Sequence, residues 1–197
     1  MNRSLRIALA DDDAAARDYL LAVLPLLGHD VVAAARDGDA LVAACRAEAP
    51  DLVIADVHMP GLGGIEASRR VYEESPLPVI LASARPDAST LDRADHDHVL
   101  AFLVKPIRQA DLEPAIVVAV SRFEQLQALR RETADLRQAL EDRKLIERAK
   151  SALMRRTGLP EHDAFRRLQR LASDRNRKLA DVARMILTAE DAYRVDA

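Results

Sequence analysis

Four short apolar runs, each ending in a polar residue, constrain this chain more than anything else in its sequence. Leu5-Arg6-Ile7-Ala8-Leu9-Ala10 leads into Asp11-Asp12-Asp13, and Leu52-Val53-Ile54-Ala55 leads into Asp56. Val79-Ile80-Leu81-Ala82 ends at Ser83, and Ala101-Phe102-Leu103-Val104 ends at Lys105-Pro106. Runs this short and this apolar read as strands buried on both faces. In an open parallel sheet the carboxyl ends of the strands face one crevice, where ligands bind. An acid pair, a lone aspartate, a hydroxyl and a lysine would therefore meet, although they lie up to 94 positions apart.

Helical stretches fill the gaps between these runs. Strands are expected at 5–10, 30–35, 51–55, 78–82 and 100–104, and helices at 13–27, 38–48, 62–74, 87–95 and from 109 onward. Five βα units of this length imply an α/β fold whose parallel sheet is covered on both faces. Asp37-Gly38, Pro50-Asp51 and Pro60-Gly61-Leu62-Gly63-Gly64 supply the turns between elements. Pro25 falls late in the first helix and marks its last turn or a kink.

From Asp111 to Arg156 no glycine occurs, and the one proline, Pro114, lies where a first helical turn tolerates it. Such a run is too long for a single covering helix. It is expected to leave a first domain at 1–121 and continue as a helical stalk over 122–135. Leu126, Leu129, Thr133, Leu136 and Leu140 are spaced 3, 4, 3 and 4, an a/d seam of two heptads suited to a dimer. Gly158-Leu159-Pro160 then breaks the helix. Further helices are expected at 161–173 and 179–189, around a basic turn at Asn176-Arg177-Lys178. Ile146, Ala149, Leu153, Phe165, Leu168, Leu171, Leu179, Val182, Ala183 and Ile186 recur at helical spacing and predict an all-α, three-helix core over 136–197.

Composition narrows the setting. Aromatic residues make up 3% of the chain, so Leu, Val, Ile and Ala must build the core. No apolar stretch approaches the roughly 18 residues of a membrane span, and no signal-like segment precedes the first strand. The single Cys45 cannot form an internal disulfide and reads as a small core residue. A cytoplasmic protein without membrane contact is expected. Residues 1–121 carry 11 Lys/Arg against 19 Asp/Glu, whereas 143–184 carry 13 against 5. An acidic front and a basic back suggest modules with different partners, and the basic one fits nucleic acid.

The residues at the strand ends match phosphoryl chemistry. Asp56 is a candidate nucleophile that can take a phosphoryl group as an acyl phosphate. Mg²⁺ prefers oxygen ligands with one or two carboxylates, which Asp11, Asp12 and Asp56 can supply. Lys105 offers a mobile cation to phosphoryl oxygens, and Ser83 a hydrogen bond. On Ala10-Asp11-Asp12-Asp13, the stretch from Asp51 to Gly61, Ser83-Ala84 and Lys105-Pro106, residues 1–121 resemble the receiver domain of two-component response regulators. That resemblance implies a flavodoxin-like sheet of order 2-1-3-4-5, phosphorylation of Asp56 by a sensor histidine kinase, and Mg²⁺ held by Asp11, Asp12, Asp56 and the backbone carbonyl of His58. It also gives Phe102 the place of an aromatic switch residue that turns inward as Ser83 moves. The His58 side chain, two residues after the acceptor, would overlook the site and alter phosphoryl lifetime. Asp95-His96-Asp97-His98 departs from the usual small turn and reads as a solvated acidic loop.

The basic tail admits RNA binding, duplex DNA binding, an enzymatic output or a protein-interaction module. Residues 137–197 hold no Ser/His/Asp set and no glycine-rich phosphate loop, which disfavours an enzyme. A helix-turn-helix around Ser173–Lys178 keeps a DNA-binding transcription factor open. The stretches Ile146–Met154, Gly158-Leu159, Ala164–Ala172 and Asn176–Ala183 resemble the ANTAR domain, an RNA-binding antiterminator module. The resemblance implies a dimer that grasps paired hairpins in a messenger leader. Candidate RNA contacts are Lys150, Arg155, Arg156, Arg167, Arg170, Arg177 and Lys178, with Ala149 allowing RNA or a helix to approach closely. An antiterminator controlled by a sequestering partner protein is the remaining alternative.

Overall fold

Side-chain alternation along the strands builds two cores on one sheet. In the computed structural model, which describes residues 4–84 and 99–194, five strands are present: β1 (Arg6–Ala10), β2 (Asp30–Ala35), β3 (Leu52–Asp56), β4 (Val79–Ser83) and β5 (Val99–Val104). They pair in parallel in the order β2-β1-β3-β4-β5. Successive residues of a strand point to opposite faces. Ala8, Val53, Ala55, Val79 and Leu81 therefore join one core, while Ile7, Leu9, Leu52, Ile54 and Ile80 join the other. Helices α2 (Gly38–Glu48) and α3 (Gly64–Glu74) supply Leu41 and Val71 to the first. Helices α1 (Ala14–Leu26) and α4 (Gln109–Thr157) supply Leu24 and Ile116 to the second. The flavodoxin-like architecture and strand order match the expectation.

Local chemistry sets the helix starts. Asp13 caps α1 by accepting the Ala15 N–H at 2.9 Å, and Asp37 caps α2 by accepting that of Ala40 at 2.8 Å. Pro25 lies in the last turn of α1. Cys45 is buried in the first core, and burial pushes its thiol pKa up to about 11, which makes it an inert packing residue. The helix expected at 87–95 and the Asp95-His96-Asp97-His98 loop lie outside the described residues.

The chain divides into two compact units, 1–128 and 129–197. In the second, the C-terminal turns of α4 pack with α5 (Glu161–Asp174) and α6 (Leu179–Arg194). Ala149, Ala152, Leu168, Val182, Ala183 and Leu187 form the buried centre, flanked by Ile146, Leu153, Leu171, Leu179 and Ile186. Ala164 is fully buried while Phe165, expected in this core, is only half-buried. Ala149 is also fully buried, so the close approach it allows is that of a helix and not of RNA.

Candidate functional site

Three strand ends deliver the acidic centre. β1 runs into Asp11, 1% exposed, and β3 ends on the buried Asp56. The loop after β5 brings Lys105, whose Nζ lies 2.7 Å from Asp11 Oδ2 and 2.6 Å from Asp56 Oδ2. Asp12 is exposed, and its carboxylate oxygen lies with those of Asp11 and Asp56 within a mutual 4.8 Å. Asp11 Oδ1 accepts the Asp13 N–H at 3.0 Å, and Asp56 Oδ1 accepts the His58 N–H at 3.3 Å. Asp56 pairs in register with Ala82, which places the buried Ser83 one residue further along the neighbouring strand. The Ser83 carbonyl accepts the Lys105 N–H at 3.0 Å, and the Lys105-Pro106 peptide is cis.

Burial and charge pull against each other here. Burial raises the Asp11 pKa and prevails over the lowering by the Lys105 hydrogen bond and charge. For Lys105, burial works downward, but its bonds to Asp11 and Asp56 outweigh it and hold the ammonium above its ordinary pKa. One cation thus stands between two buried carboxylates with a third beside them. A cluster of hard oxygen donors around one point suits a divalent cation of the Mg²⁺ class.

Two contributors escaped the sequence reading. Arg17 Nη1 donates to the backbone carbonyls of Asp11 at 2.8 Å and Asp12 at 3.3 Å, fixing the loop that carries both acids. Its place one turn inside α1, five residues after Asp12, was the available signal. Gly64 opens α3 so close to β3 that a Cβ there would stand 1.9 Å from the Asp56 carbonyl oxygen. Only glycine lets that helix start beside Asp56. Of the remaining expectations, the His58 side chain is exposed, and Phe102 is half-buried in register with Leu81 against the first core.

The basic unit places its cations unequally. Lys150 is 8% exposed, with Nζ 2.5 Å from Glu147 and 2.6 Å from Glu161. It clasps α4 to the first turn of α5, so two carboxylates already neutralise a cation expected to face RNA. Arg155 Nη2 lies 2.9 Å from Glu190. Arg156, Arg167, Arg170, Arg177 and Lys178 are exposed, with Arg177 Nη1 3.9 Å from the Met185 sulfur.

The residues expected to form a dimer seam also part company. Leu126 is half-buried against the second core of the first unit, so it is not a free seam position. Every residue from 128 to 141 is exposed, and on that polar surface Leu129, Leu136 and Leu140 remain 59%, 66% and 54% exposed. Thr133 satisfies its hydroxyl internally by donating to the Leu129 carbonyl at 2.8 Å.

Comparison with known proteins agrees with both halves of this geometry. The response regulator receiver domain family matches residues 7–117, and the ANTAR domain family matches residues 134–187. Transcriptional regulatory protein PdtaR of Mycobacterium tuberculosis is 40% identical over 182 residues, covering 92% of this chain and 89% of that protein. A protein-glutamate methylesterase/protein-glutamine glutaminase of Haloarcula marismortui is 39% identical over 116 residues, but these cover 57% of this chain and 31% of that protein. Among solved structures, the receiver domain of the putative response regulator NarL from Mycobacterium tuberculosis superposes with a TM-score of 0.57 at 27% identity. It covers 61% of this chain and 98% of its own.

Proposed function

As the chain belongs to the response regulators of the antiterminator type, which join a receiver domain to an ANTAR domain, we propose that a sensor histidine kinase phosphorylates it on Asp56 and that it then binds hairpins in messenger leaders. The observation that carries this reading is the Lys105 ammonium standing between the Asp11 and Asp56 carboxylates at the ends of separate strands. An Asp56 carboxylate oxygen would attack the phosphorus of a phosphohistidine, the P–N bond breaking as the P–O bond forms. Asp11, Asp12, Asp56 and the His58 carbonyl are the groups that would hold Mg²⁺, and the three carboxylates already lie close enough to share one ion. When bound, that ion would neutralise charge on the transferring group.

Lys105 would exchange its contact with the Asp56 carboxylate for the phosphoryl oxygens, and Ser83 would donate to the same group. Phe102 would follow Ser83 inward, where Leu81 and its neighbours offer apolar packing. A new charge at one site that biases a two-state element is the general logic of such switches. The exposed Leu129, Leu136 and Leu140 favour a homodimer as the active form. Two paired ANTAR domains would raise affinity for paired hairpins through avidity. No described helix is long and apolar enough to cross a membrane.

The test is binding of phosphorylated protein to a two-hairpin RNA and to a duplex DNA of equal charge, with Asp56→Asn alongside. RNA preference that the variant loses supports phosphorylation-gated RNA binding. Preference for DNA, or equal RNA binding by both proteins, refutes it.

A further inference from the structure

We infer that the cleft along α5 between Arg166, Arg167 and Arg170 takes an unpaired hairpin-loop base, not merely the phosphate backbone. The inference deepens the RNA-binding reading above and rests on it. The cleft measures about 500 Å³ and is floored by Leu159 and Leu171, both half-buried. Positions 163, 166, 167, 170 and 174 follow one helix face, so their side chains converge on one strip of surface.

Three features separate this strip from an ordinary solvated helix face. First, Lys150, Arg155 and Arg184 of the same unit are committed to Glu147, Glu161, Glu190 and Asp181. Arg166, Arg167 and Arg170 are exposed and have no hydrogen-bond or ion-pair partner among the described residues. Second, the strip is concave with an apolar floor. A phosphate needs charge alone, whereas a planar ring gains from a hollow that excludes water from its face; 500 Å³ falls in the usual range of ligand clefts. Third, no aromatic side chain among the described residues lines the cleft, in a chain that has no tryptophan. Loop bases stack on aromatic rings or on guanidinium planes, and here only guanidinium planes are offered. Asp163 and Asp174 stand at the two ends of the strip, where a carboxylate accepts from an amino-bearing base edge.

Charge and planarity can be separated by exchanging arginine for lysine, which keeps the cation and removes the plane and the fork. Full-length protein, phosphorylated by a small phosphodonor, is titrated with a two-hairpin RNA and with the same RNA carrying one abasic site at each loop position in turn. Arg167→Lys/Arg170→Lys protein is titrated in parallel, and circular dichroism checks its fold. Expected is one loop position whose abasic form binds wild type on the order of tenfold more weakly. In the lysine variant, the intact RNA should be weakened by a similar factor and that abasic site should cost nothing more. Two results would overturn the inference while leaving the RNA-binding reading intact. One is intact RNA bound by the lysine variant as tightly as by wild type. The other is abasic losses of equal factor in both proteins. Wild type that binds no hairpin RNA at all would instead refute the reading on which the inference rests.

Discussion

Lys105 keeps two buried carboxylates together by standing between them, and its removal should expose how much of the fold depends on that arrangement. Lys105→Ala leaves Asp11 and Asp56 without their shared cation, and loss of one partner of a buried ionic group costs about 3 kcal/mol. Urea denaturation should show that loss, and saturating Mg²⁺ should recover most of it, because a ligand of the folded state alone stabilises it. A deficit that Mg²⁺ leaves unchanged would mean the carboxylates are not what the lysine supports. His29 gives a second residue-scale prediction. It is 2% exposed, and its Nδ1 accepts the Leu5 N–H at 3.3 Å, which requires the neutral ring. Burial, the larger influence, lowers its pKa, while Glu113 and Asp30 push back. Between about pH 6.5 and that lowered pKa, the unfolded chain takes up a proton the folded chain refuses. Stability should therefore fall as pH drops through this window and level off below it. His29→Asn, which retains an acceptor for the Leu5 amide, should flatten the profile of thermal midpoint against pH; an unchanged slope would assign the dependence to other groups.

At the scale of elements, the exposed face of α4 specifies how two copies would meet. With Leu129 and Leu136 at d and Thr133 and Leu140 at a, the e positions are Arg130, Arg137 and Lys144, and the g positions include Glu132. Antiparallel helices set e against e, which here opposes cation to cation; parallel helices set Glu132 against Arg137 of the other copy. The pair should thus be parallel. Arg137→Glu should weaken dimerisation of the phosphorylated protein by about fivefold, or roughly 1 kcal/mol for two pairs, with Glu132→Arg/Arg137→Glu restoring it. Sedimentation reads both, and a double variant as weak as the single one would exclude the parallel register. The strands were legible because continuous apolar runs between turn residues have few other readings, and their polar ends followed at once from the topology. The packing of Leu126 was not legible, because heptad spacing does not say which leucine a neighbouring core has already taken. The double ion pair of Lys150 was not legible, because a lysine in a basic helix looks alike in sequence whether it faces solvent or two glutamates. Gly64 was visible only as part of a turn; what it must avoid, the Asp56 carbonyl, appears once α3 and β3 are side by side.

For the whole molecule, affinity should depend on number as much as on contact. If two ANTAR domains act together, a two-hairpin RNA should bind the phosphorylated protein a hundredfold or more tighter than either hairpin alone, on the order of the usual gain from linkage. Leu136→Asp, which places a charge on the exposed seam, should collapse that ratio towards one while leaving single-hairpin affinity unchanged. Equal ratios in the two proteins would show that pairing on RNA does not use this face of α4. The exposed leucines also bear on genetics. If the chain works in pairs, its alleles are not independent of one another. A copy with Arg167→Ala/Arg170→Ala that keeps Asp56, Leu129, Leu136 and Leu140 would enter mixed pairs and silence wild-type partners, so the allele would be dominant. Adding Leu136→Asp to the same copy would release the partners and turn a dominant allele recessive.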